Sequence, residues 1–301
     1  MTTTTETESE TRSPSLRGAT GRKALPPLLA WPALIWISVS VIVPVVFVVT
    51  VGFWRLDGFE LVQDWDPSTY SLMLTDSTFW GIVWWTVRTW LTVLTLILGI
   101  GVPAAYFIAR HVRSLSMQTA ILMLTVLPFW VSYVIRIITW IPMFGNKGVL
   151  NGALVKAGII DSPSSAFLYN SVAMTIALVS MYIVFIVGPV YFGLSRIDAD
   201  TLAASRMSGA SPWTTFWKVE IPLAKPGIVA GSFFATVFLL GDFATEQIVG
   251  GATNPMLAGL SLRYAETLQW PMAAAVSAAL LVIALVLIWL LSRIHDLRKE
   301  V

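Results

Sequence analysis

The sequence predicts an all-α, polytopic membrane protein with six transmembrane helices, and three observations lead to this fold class. Of the 301 residues, 56% are hydrophobic and only 12% are charged, which is about half the charged share of a soluble domain. The mean hydropathy is +0.76, and the chain contains 14 Trp and 15 Phe. Six apolar runs each exceed the roughly 20 residues that a helix needs to cross the hydrocarbon layer. A soluble domain is excluded because it would lack the charged surface that keeps such a fold in solution.

The six predicted spans differ in the charges that they carry. They cover residues 28–51, 81–108, 117–141, 171–193, 227–249 and 270–291. The second span holds Arg88, the third holds Arg136, and the fifth holds Asp242 and Glu246, whereas the other three are free of charge. An ionisable side chain at membrane depth is costly, so each of these four residues is a candidate functional residue.

The two ends of the chain are predicted to lie outside the membrane domain. Residues 1–27 are rich in Thr, Ser, Glu and Arg, so they bury too little apolar surface to fold and are expected to be a disordered tail. Residues 28–295 form the six-span domain, and residues 296–301 form a second short tail. The run at 28–51 is too long for a signal-peptide core, so we expect it to remain as a helix.

The basic residues predict that both termini are cytoplasmic. With six spans and an inner N-terminus, thirteen of the 19 Lys and Arg residues fall in inner segments, and four fall in outer loops, namely Arg55, Lys147, Lys156 and Arg263. The thirteen are Arg12, Arg17, Arg22, Lys23, Arg110, Arg113, Arg196, Arg206, Lys218, Lys225, Arg293, Arg298 and Lys299. Cytoplasmic loops carry the excess of Lys and Arg, so we expect a multi-pass protein of the cell membrane with this orientation.

Motifs for catalysis and for nucleotide binding are missing from the sequence. The chain has no cysteine, which excludes thiol catalysis and cysteine metal sites. It has no Gly-x-x-x-x-Gly-Lys-Ser/Thr motif, so it cannot cradle ATP phosphates itself. Its two histidines, His111 and His295, fall at inner membrane edges among arginines. We therefore expect no enzymatic activity, no cofactor, no metal site and no nucleic-acid partner.

The inner segment between spans four and five, residues 196–222, predicts a helix that ends in a sharp turn. Asp198 and Asp200 stand where a helix N-terminus favours negative charge. A short helical run follows at 201–208, and Gly209 supplies the permissive backbone that ends it.

A second helix is predicted to follow directly. Ser211 is a good N-cap residue, and Pro212 suits the first helical turn. Pro222 and Pro226 are expected to interrupt the approach to span five. Such a helix–turn–helix is a rigid shape that suits docking of a partner protein better than a flexible linker does.

This segment resembles the "EAA" loop of permease subunits of ATP-binding-cassette (ABC) importers, whose pattern is Glu-Ala-Ala, three residues, Gly, nine residues, then Ile-x-Leu-Pro. Here Ala-Ala-Ser at 203–205 stands in place of Glu-Ala-Ala, Gly209 falls on the glycine, and Val-Glu-Ile-Pro at 219–222 closes the pattern. The resemblance implies that residues 201–209 form the coupling helix, which sits in a cleft of an ATPase subunit. The implied coupling residues are Asp200, Ala203, Ala204, Ser205, Arg206, Gly209, Ala210 and Pro222. Ala203 departs from the family's Glu.

The resemblance covers nearly the whole span region and points to the spermidine/putrescine-type permeases. It rests on Arg-Ile-Ile-Thr-Trp at 136–140, Gly145, Gly-Val-Leu-Asn at 148–151, Gly-Gly at 250–251 and Trp-Pro at 270–271. It implies the transmembrane-domain fold of type I ABC importers and transport of a polyamine or similar small organic cation. The implied partners are ABC ATPase subunits that bind the ATP, a second permease that is by family habit a different chain, and an extracytoplasmic solute-binding protein.

Two interpretations of the intramembrane charges remain open. Asp242 and Glu246 are four residues apart and share one helical face, so they could line a pathway for a cationic solute. Alternatively, Arg88 and Arg136 neutralise the two acids in a buried network that fixes the helix register. Trp140 lies one turn from Arg136, where it could stack on the guanidinium or belong to the interfacial aromatic belt.

Other functions are compatible with parts of the sequence. A secondary transporter could use Asp242 and Glu246 as a proton relay, although no clear inverted repeat is visible. A membrane scaffold would transport no solute and would tolerate insertions at 198–222. Within the ABC importers, an opine, a phosphonate or a sugar remains an alternative solute. The outer segment at 149–157 either contacts the binding protein or is a re-entrant packing element.

Overall fold

The computed structural model describes residues 31–58, 60–251 and 255–294. The predicted tails at 1–27 and 296–301, together with His295, lie outside the described residues. The described chain is helical apart from turns, loops and one antiparallel ribbon, in which β1 (Arg55–Asp57) pairs with β2 (Glu60–Val62). The all-α prediction is confirmed.

The chain divides into two compact units within its first helix. Helix α1 (Trp31–Val51) has Pro44 in its interior, and the chain boundary between the units follows it, since the first unit ends at Pro44 and the second begins at Val45. The described residues of the first unit carry no charge, as expected of a helix surrounded by lipid.

The second unit holds the remaining helices. They are α2 (Ser68–Thr75), α3 (Ser77–His111), α4 (Leu115–Val126), α5 (Tyr133–Ile138), α6 (Trp140–Phe144), α7 (Val149–Lys156), α8 (Ser171–Tyr182), α9 (Val184–Ser195), α10 (Ala199–Met207), α11 (Pro212–Thr215), α12 (Ile221–Leu240), α13 (Ala244–Ile248), α14 (Leu257–Glu266) and α15 (Trp270–Ile294). Short 3-10 turns lie at Leu127–Trp130 and Ser165–Phe167, and a π-helical turn lies at Phe216–Glu220.

In the described part of the chain, five helical segments are long and apolar enough to cross a membrane. They are Leu34–Val51, Ser77–His111, Ser171–Ser195, Pro212–Leu240 and Trp270–Arg293. A sixth span is present if Leu115–Trp130 and Tyr133–Lys156, which meet at a bend of 101°, count as one broken span. The expected number of spans therefore agrees with the structure, but the third span is not a straight helix.

The break in the third span corrects the prediction of one helix over 117–141. Pro128 occupies the start of a 3-10 turn, and the α-helix resumes only at Tyr133. Proline has no N–H to donate and its ring clashes with the preceding turn, so it ends a helix within an otherwise apolar run. The run at 117–141 is apolar on both sides of the bend, so the hydropathy of the sequence does not reveal the bend.

The fifth span also differs from its predicted range of 227–249. It begins as early as Pro212 and ends at Leu240, so Pro222 and Pro226 do not interrupt it. Pro222 lies in the first turn of α12, directly after the π-helical turn. The π-helical turn departs from the regular α-helical hydrogen-bond pattern next to the position where proline has no N–H to donate.

The fourth and fifth spans pack backbone against backbone through small residues. A Cβ atom at Gly227 would collide with the carbonyl oxygen of Pro189, and one at Gly231 would lie 2.5 Å from that of Phe185. Small residues permit this close approach between membrane helices. The pair forms the centre of a core that also includes the fully buried Ile97 of α3.

Candidate functional site

The predicted helix–turn–helix of the inner segment is present in the structure. We call α10, its turn and α11 (residues 199–215) the coupling hairpin. Gly209 has φ of +80°, a left-handed conformation that favours glycine. The Ala210 amide donates to the Ser205 carbonyl at 3.3 Å, closing the helix end, and Ser211 caps α11 through the Thr214 amide at 3.2 Å. Helix α10 begins at Ala199 and ends at Met207 rather than covering 201–208.

The coupling hairpin presents most of its predicted docking residues to the outside. Exposed residues are Asp200, Ala203, Ala204, Arg206 and Gly209, and half-buried residues are Ser205, Ala210 and Pro222. The Ser205 and Thr215 hydroxyls lie 2.9 Å apart and tie the two helices together. Met207 is 86% exposed, so the hairpin presents an apolar side chain on its surface. The role of these residues as contacts to an ATPase stays a prediction.

A buried ion pair behind the coupling hairpin was not predicted from the sequence. Arg110 Nε lies 2.6 Å from Glu220 Oε1, and Arg110 Nη2 donates to the Leu194 carbonyl at 3.1 Å. Glu220 is only 3% exposed. Glu220 is a carboxylate in an apolar stretch near a membrane edge, and this pattern could have indicated a buried charge. Its partner Arg110 could not be found in the same way, because it lies 110 residues away in the chain.

The sequence predicted that Asp242 lies within the helix of the fifth span. In the structure it lies beyond the end of that helix. The span ends at Leu240, and Asp242 precedes the short helix α13. Its carboxylate accepts from the Thr245 amide at 2.9 Å, the Thr245 hydroxyl at 2.8 Å and the Tyr182 hydroxyl at 2.7 Å. The residue is 2% exposed, and it forms no ion pair with a Lys or Arg of the described ranges.

Glu246 pairs with Arg263, a residue that the sequence placed in an outer loop. Arg263 Nη2 lies 2.8 Å from Glu246 Oε1, and the Met256 amide donates to Oε2 at 2.7 Å. A Cβ atom at Gly259 would collide with the same carboxylate, so Gly259 allows α14 to approach it. Glu246 thus anchors the start and the last turn of α14.

These contacts correct the predicted charge network. Within residues 31–58, 60–251 and 255–294, no carboxylate forms an ion pair with Arg88 or Arg136. The prediction assumed that Asp242 and Glu246 continue one helix and share a face. The chain instead turns at Gly241, and Glu246 meets a cation that lies 17 residues further along the chain.

Arg88 lies on an exposed face of α3. Its guanidinium carbon is 5.9 Å from the centre of the Trp85 ring. Both residues line a groove of about 330 Å³, which is also lined by Thr89 and Thr175. The arginine is therefore placed for contacts outside the described chain rather than in the interior of the bundle.

Arg136 packs on Phe129 rather than on Trp140. Its guanidinium carbon is 4.4 Å from the Phe129 ring centre, a cation–π geometry, while Trp140 stacks on Phe144 at 5.0 Å. The buried Nε of Arg136 finds no hydrogen-bond partner among the described residues. Phe129, Arg136 and Trp140 line a cavity of about 560 Å³ at the bend of the third span. Whether this cavity belongs to a solute pathway stays a prediction.

The outer segment at 149–157 is helical, as α7 (Val149–Lys156), and follows the bend. Asn151 is fully buried there. Its amide nitrogen donates to the carbonyls of Gly145 and Ser164, both at 3.0 Å, and its oxygen accepts from the Ser164 amide at 2.7 Å. This clasp supports the packing interpretation of the segment, and a contact to a binding protein is not tested by it.

Comparison with protein families gives a match over most of the membrane domain. The model of the family described as "Binding-protein-dependent transport system inner membrane component" matches residues 97–298. Among curated proteins, the chain is similar to the spermidine/putrescine transport system permease protein PotB of Escherichia coli, at 28% identity over 88% of this chain and 97% of PotB. It is also similar to PotB of Haemophilus influenzae, at 29% identity over 87% of this chain and 91% of that protein.

Solved structures show the same fold. A bacterial ABC transporter that imports the acidic polysaccharide alginate aligns with a TM-score of 0.69 at 16% identity, over 91% of this chain and 96% of that one. The MetNI methionine ABC transporter aligns with a TM-score of 0.52 at 21% identity, over 74% of this chain and 96% of that one. The expected type I importer fold is confirmed, and at these identities the likeness concerns the fold alone.

Proposed function

This chain belongs to the family of binding-protein-dependent transport system inner membrane components, and on that premise we propose that its solute is a polyamine or a similar small organic cation. The chain is the permease subunit of an ABC importer. The observation that carries this function is the family match over residues 97–298, which includes the coupling hairpin with its left-handed Gly209. The polyamine is supported by the relatives named as spermidine/putrescine permeases.

The proposed transport cycle uses the coupling hairpin as the input of mechanical work. Closure of partner ATPase subunits would displace α10, and the continuous helix from Pro212 to Leu240 would carry the displacement across the membrane. The close packing of Gly227 and Gly231 on the fourth span makes the two spans move as one body. Rigid-body movement between two packings would then alternate access to the two sides.

The proposed partners are proteins that would bind ATP, complete the pathway and deliver the solute. The sequence has no nucleotide-binding motif, so ATP would be bound by separate ABC ATPase subunits. A second permease, of a different sequence, would complete the pathway, and an extracytoplasmic binding protein would deliver the solute. The solved alginate importer was captured with a periplasmic protein bound to an alginate pentasaccharide, which supports this kind of assembly. Both termini of the chain are proposed to be cytoplasmic.

Asp242 supports a cationic solute. Its carboxylate is held by hydroxyl and amide donors rather than by an ion pair with a described Lys or Arg. The negative charge of such a carboxylate would be balanced by no described cation, and an unbalanced negative charge attracts a cationic solute. Glu246, by contrast, is neutralised by Arg263.

Uptake of labelled spermidine by the complete complex in proteoliposomes tests the proposal. We expect uptake to require ATP and the binding protein, and to persist when the proton gradient is dissipated. Asp242→Asn, which keeps the size of the side chain, should lower spermidine uptake by more than it lowers the yield of assembled complex.

Three outcomes would contradict parts of the proposal. Uptake that follows the proton gradient and ignores loss of the ATPase would favour a secondary transporter. ATP-dependent uptake of an opine, a phosphonate or a sugar, with none of spermidine, would keep the importer but remove the polyamine. Loss of assembly in Asp242→Asn, with uptake per assembled complex unchanged, would make Asp242 a structural residue.

A further inference from the structure

The ends of three spans meet at one buried ion pair beside the coupling hairpin. Arg110 lies in the last turn of α3, and its Nε is 2.6 Å from Glu220 Oε1. Its Nη2 donates at 3.1 Å to the carbonyl of Leu194, near the end of α9. Glu220 is the last residue of the π-helical turn that leads into α12. One guanidinium therefore holds the second, fourth and fifth spans together at this level.

The Glu220 carboxylate of this ion pair is shielded from water. The Glu220 side chain is 4% exposed and the Arg110 side chain is 19% exposed. Hydrogen bonds between charged groups are short and strong, and separating a buried pair leaves an uncompensated charge. The three helix ends are thus held at a defined distance from one another.

Glu220 lies directly between the coupling hairpin and the membrane part of the fifth span. Helix α11 runs into the π-helical turn at Phe216–Glu220, which runs into α12 without a break. Single π-helical turns are concentrated at functional positions of helices. The Tyr106 and Phe216 rings, 4.8 Å apart and edge to face, add a second contact between α3 and this turn. A displacement of the hairpin therefore reaches Glu220 before it reaches α12.

We infer that Arg110 and Glu220 are positioning residues for transport, which transmit the displacement of the coupling hairpin to the second span. This inference rests on the proposed function. The fourth and fifth spans are already in close contact through Gly227 and Gly231, and the charged pair joins the second span to them. Without the pair, the hairpin would still move the fifth span, but the second span would follow incompletely and solute would be moved less often per ATP.

The variant Arg110→Lys tests this role. Lysine keeps the positive charge that balances Glu220, but its single ammonium lacks the rigid fork that reaches Glu220 and the Leu194 carbonyl together. ATP hydrolysis and spermidine uptake are measured together in the complete complex in proteoliposomes. We expect the ATP hydrolysed per spermidine imported to rise roughly fivefold to tenfold, the lower part of the range for coupling between two sites. The yield of assembled complex should stay unchanged.

Arg113→Lys is the matched control, because it makes the same substitution at an exposed arginine three residues along the chain. Its ratio of ATP to spermidine should equal that of the unmodified complex. Glu220→Gln provides a second test, since it removes the charge at nearly constant volume, and its ratio should also rise.

The possible failures are distinguishable. A normal ratio in assembled Arg110→Lys and Glu220→Gln complexes would overturn the inference and leave the proposed function intact. Loss of assembly in both variants would assign the pair to stability alone and would overturn it too. If the unmodified complex shows no ATP-dependent uptake of any solute, the proposed function itself fails.

Discussion

Single residues set the local geometry at two places in the bundle. Beside α14, the buried Glu246 carboxylate holds that helix through the Met256 amide and Arg263. Gly259 faces this carboxylate so closely that a side chain has no room. In the coupling hairpin, Gly209 adopts a left-handed turn that no β-branched residue adopts without strain. Each glycine is required for a different physical reason, which is space in one case and backbone conformation in the other.

Gly259→Ala should destabilise the docking of α14. The added Cβ meets the Glu246 carboxylate, which is fixed by its own partners and cannot move away freely. We expect a loss of about 1–3 kcal/mol, the usual cost of overpacking, measured as a lower unfolding temperature of the purified protein in detergent. Gly152→Ala is the control, because that exposed helical glycine has open space around its Cβ position. Equal stability of the two variants would disprove the close contact.

At the scale of elements, the coupling hairpin is a stiff unit because its turn and both helices are fixed locally. Ser205 bonds Thr215 across the turn, and Ser211 caps the second helix. The hairpin then continues through the π-helical turn into α12. The third span is the opposite case, since it breaks after Pro128 and leaves a cavity at Arg136. One element is continuous with a span, and the other is interrupted beside a cavity.

Gly209→Val should leave membrane insertion intact but uncouple ATP hydrolysis from uptake, because the β-branched residue resists the turn that aims α11. The measurement is solute uptake against ATP hydrolysis, with the amount of protein in the membrane fraction as the reference. Gly209→Asn is the matched comparison, since asparagine tolerates the left-handed region and should retain more coupling. Normal uptake by Gly209→Val would remove the coupling hairpin from the mechanism.

At the scale of the whole molecule, the distribution of basic residues orients the bundle. Thirteen of the 19 Lys and Arg residues, among them Arg206, Lys218 and Lys225, fall in predicted inner segments, and four fall in predicted outer loops. By the positive-inside rule we expect the hairpin to lie in the cytoplasm, where ATP is available to a partner.

Cysteine labelling tests this orientation without background, because the chain has no native cysteine. Ser208→Cys and Asp161→Cys each introduce one thiol at an exposed position. In intact cells, a membrane-impermeant maleimide should label the Asp161→Cys variant, while Ser208→Cys should react only after the membrane is opened. Labelling of Ser208→Cys from outside would reverse the topology and contradict coupling to a cytoplasmic ATPase.

The sequence by itself determined the features that depend on neighbouring residues. Apolar runs of sufficient length located the spans, and the local chemistry of Gly209, Ser211 and Pro212 predicted the coupling hairpin, because turns and caps are formed by residues within a few positions of one another. The resemblance to the permease family extended that prediction to a fold and a function.

Tertiary structure alone decided which charges meet. Glu220 finds Arg110 across 110 residues, and Glu246 finds Arg263 rather than Arg88 or Arg136. Apolar composition is the same on either side of a bend, so the breaks after Pro128 and Leu240 were invisible to hydropathy. A buried charge takes the partner that packing brings within about 3 Å, the length of a charged hydrogen bond. Packing depends on contacts between helices that are distant in the chain, which a local pattern does not record.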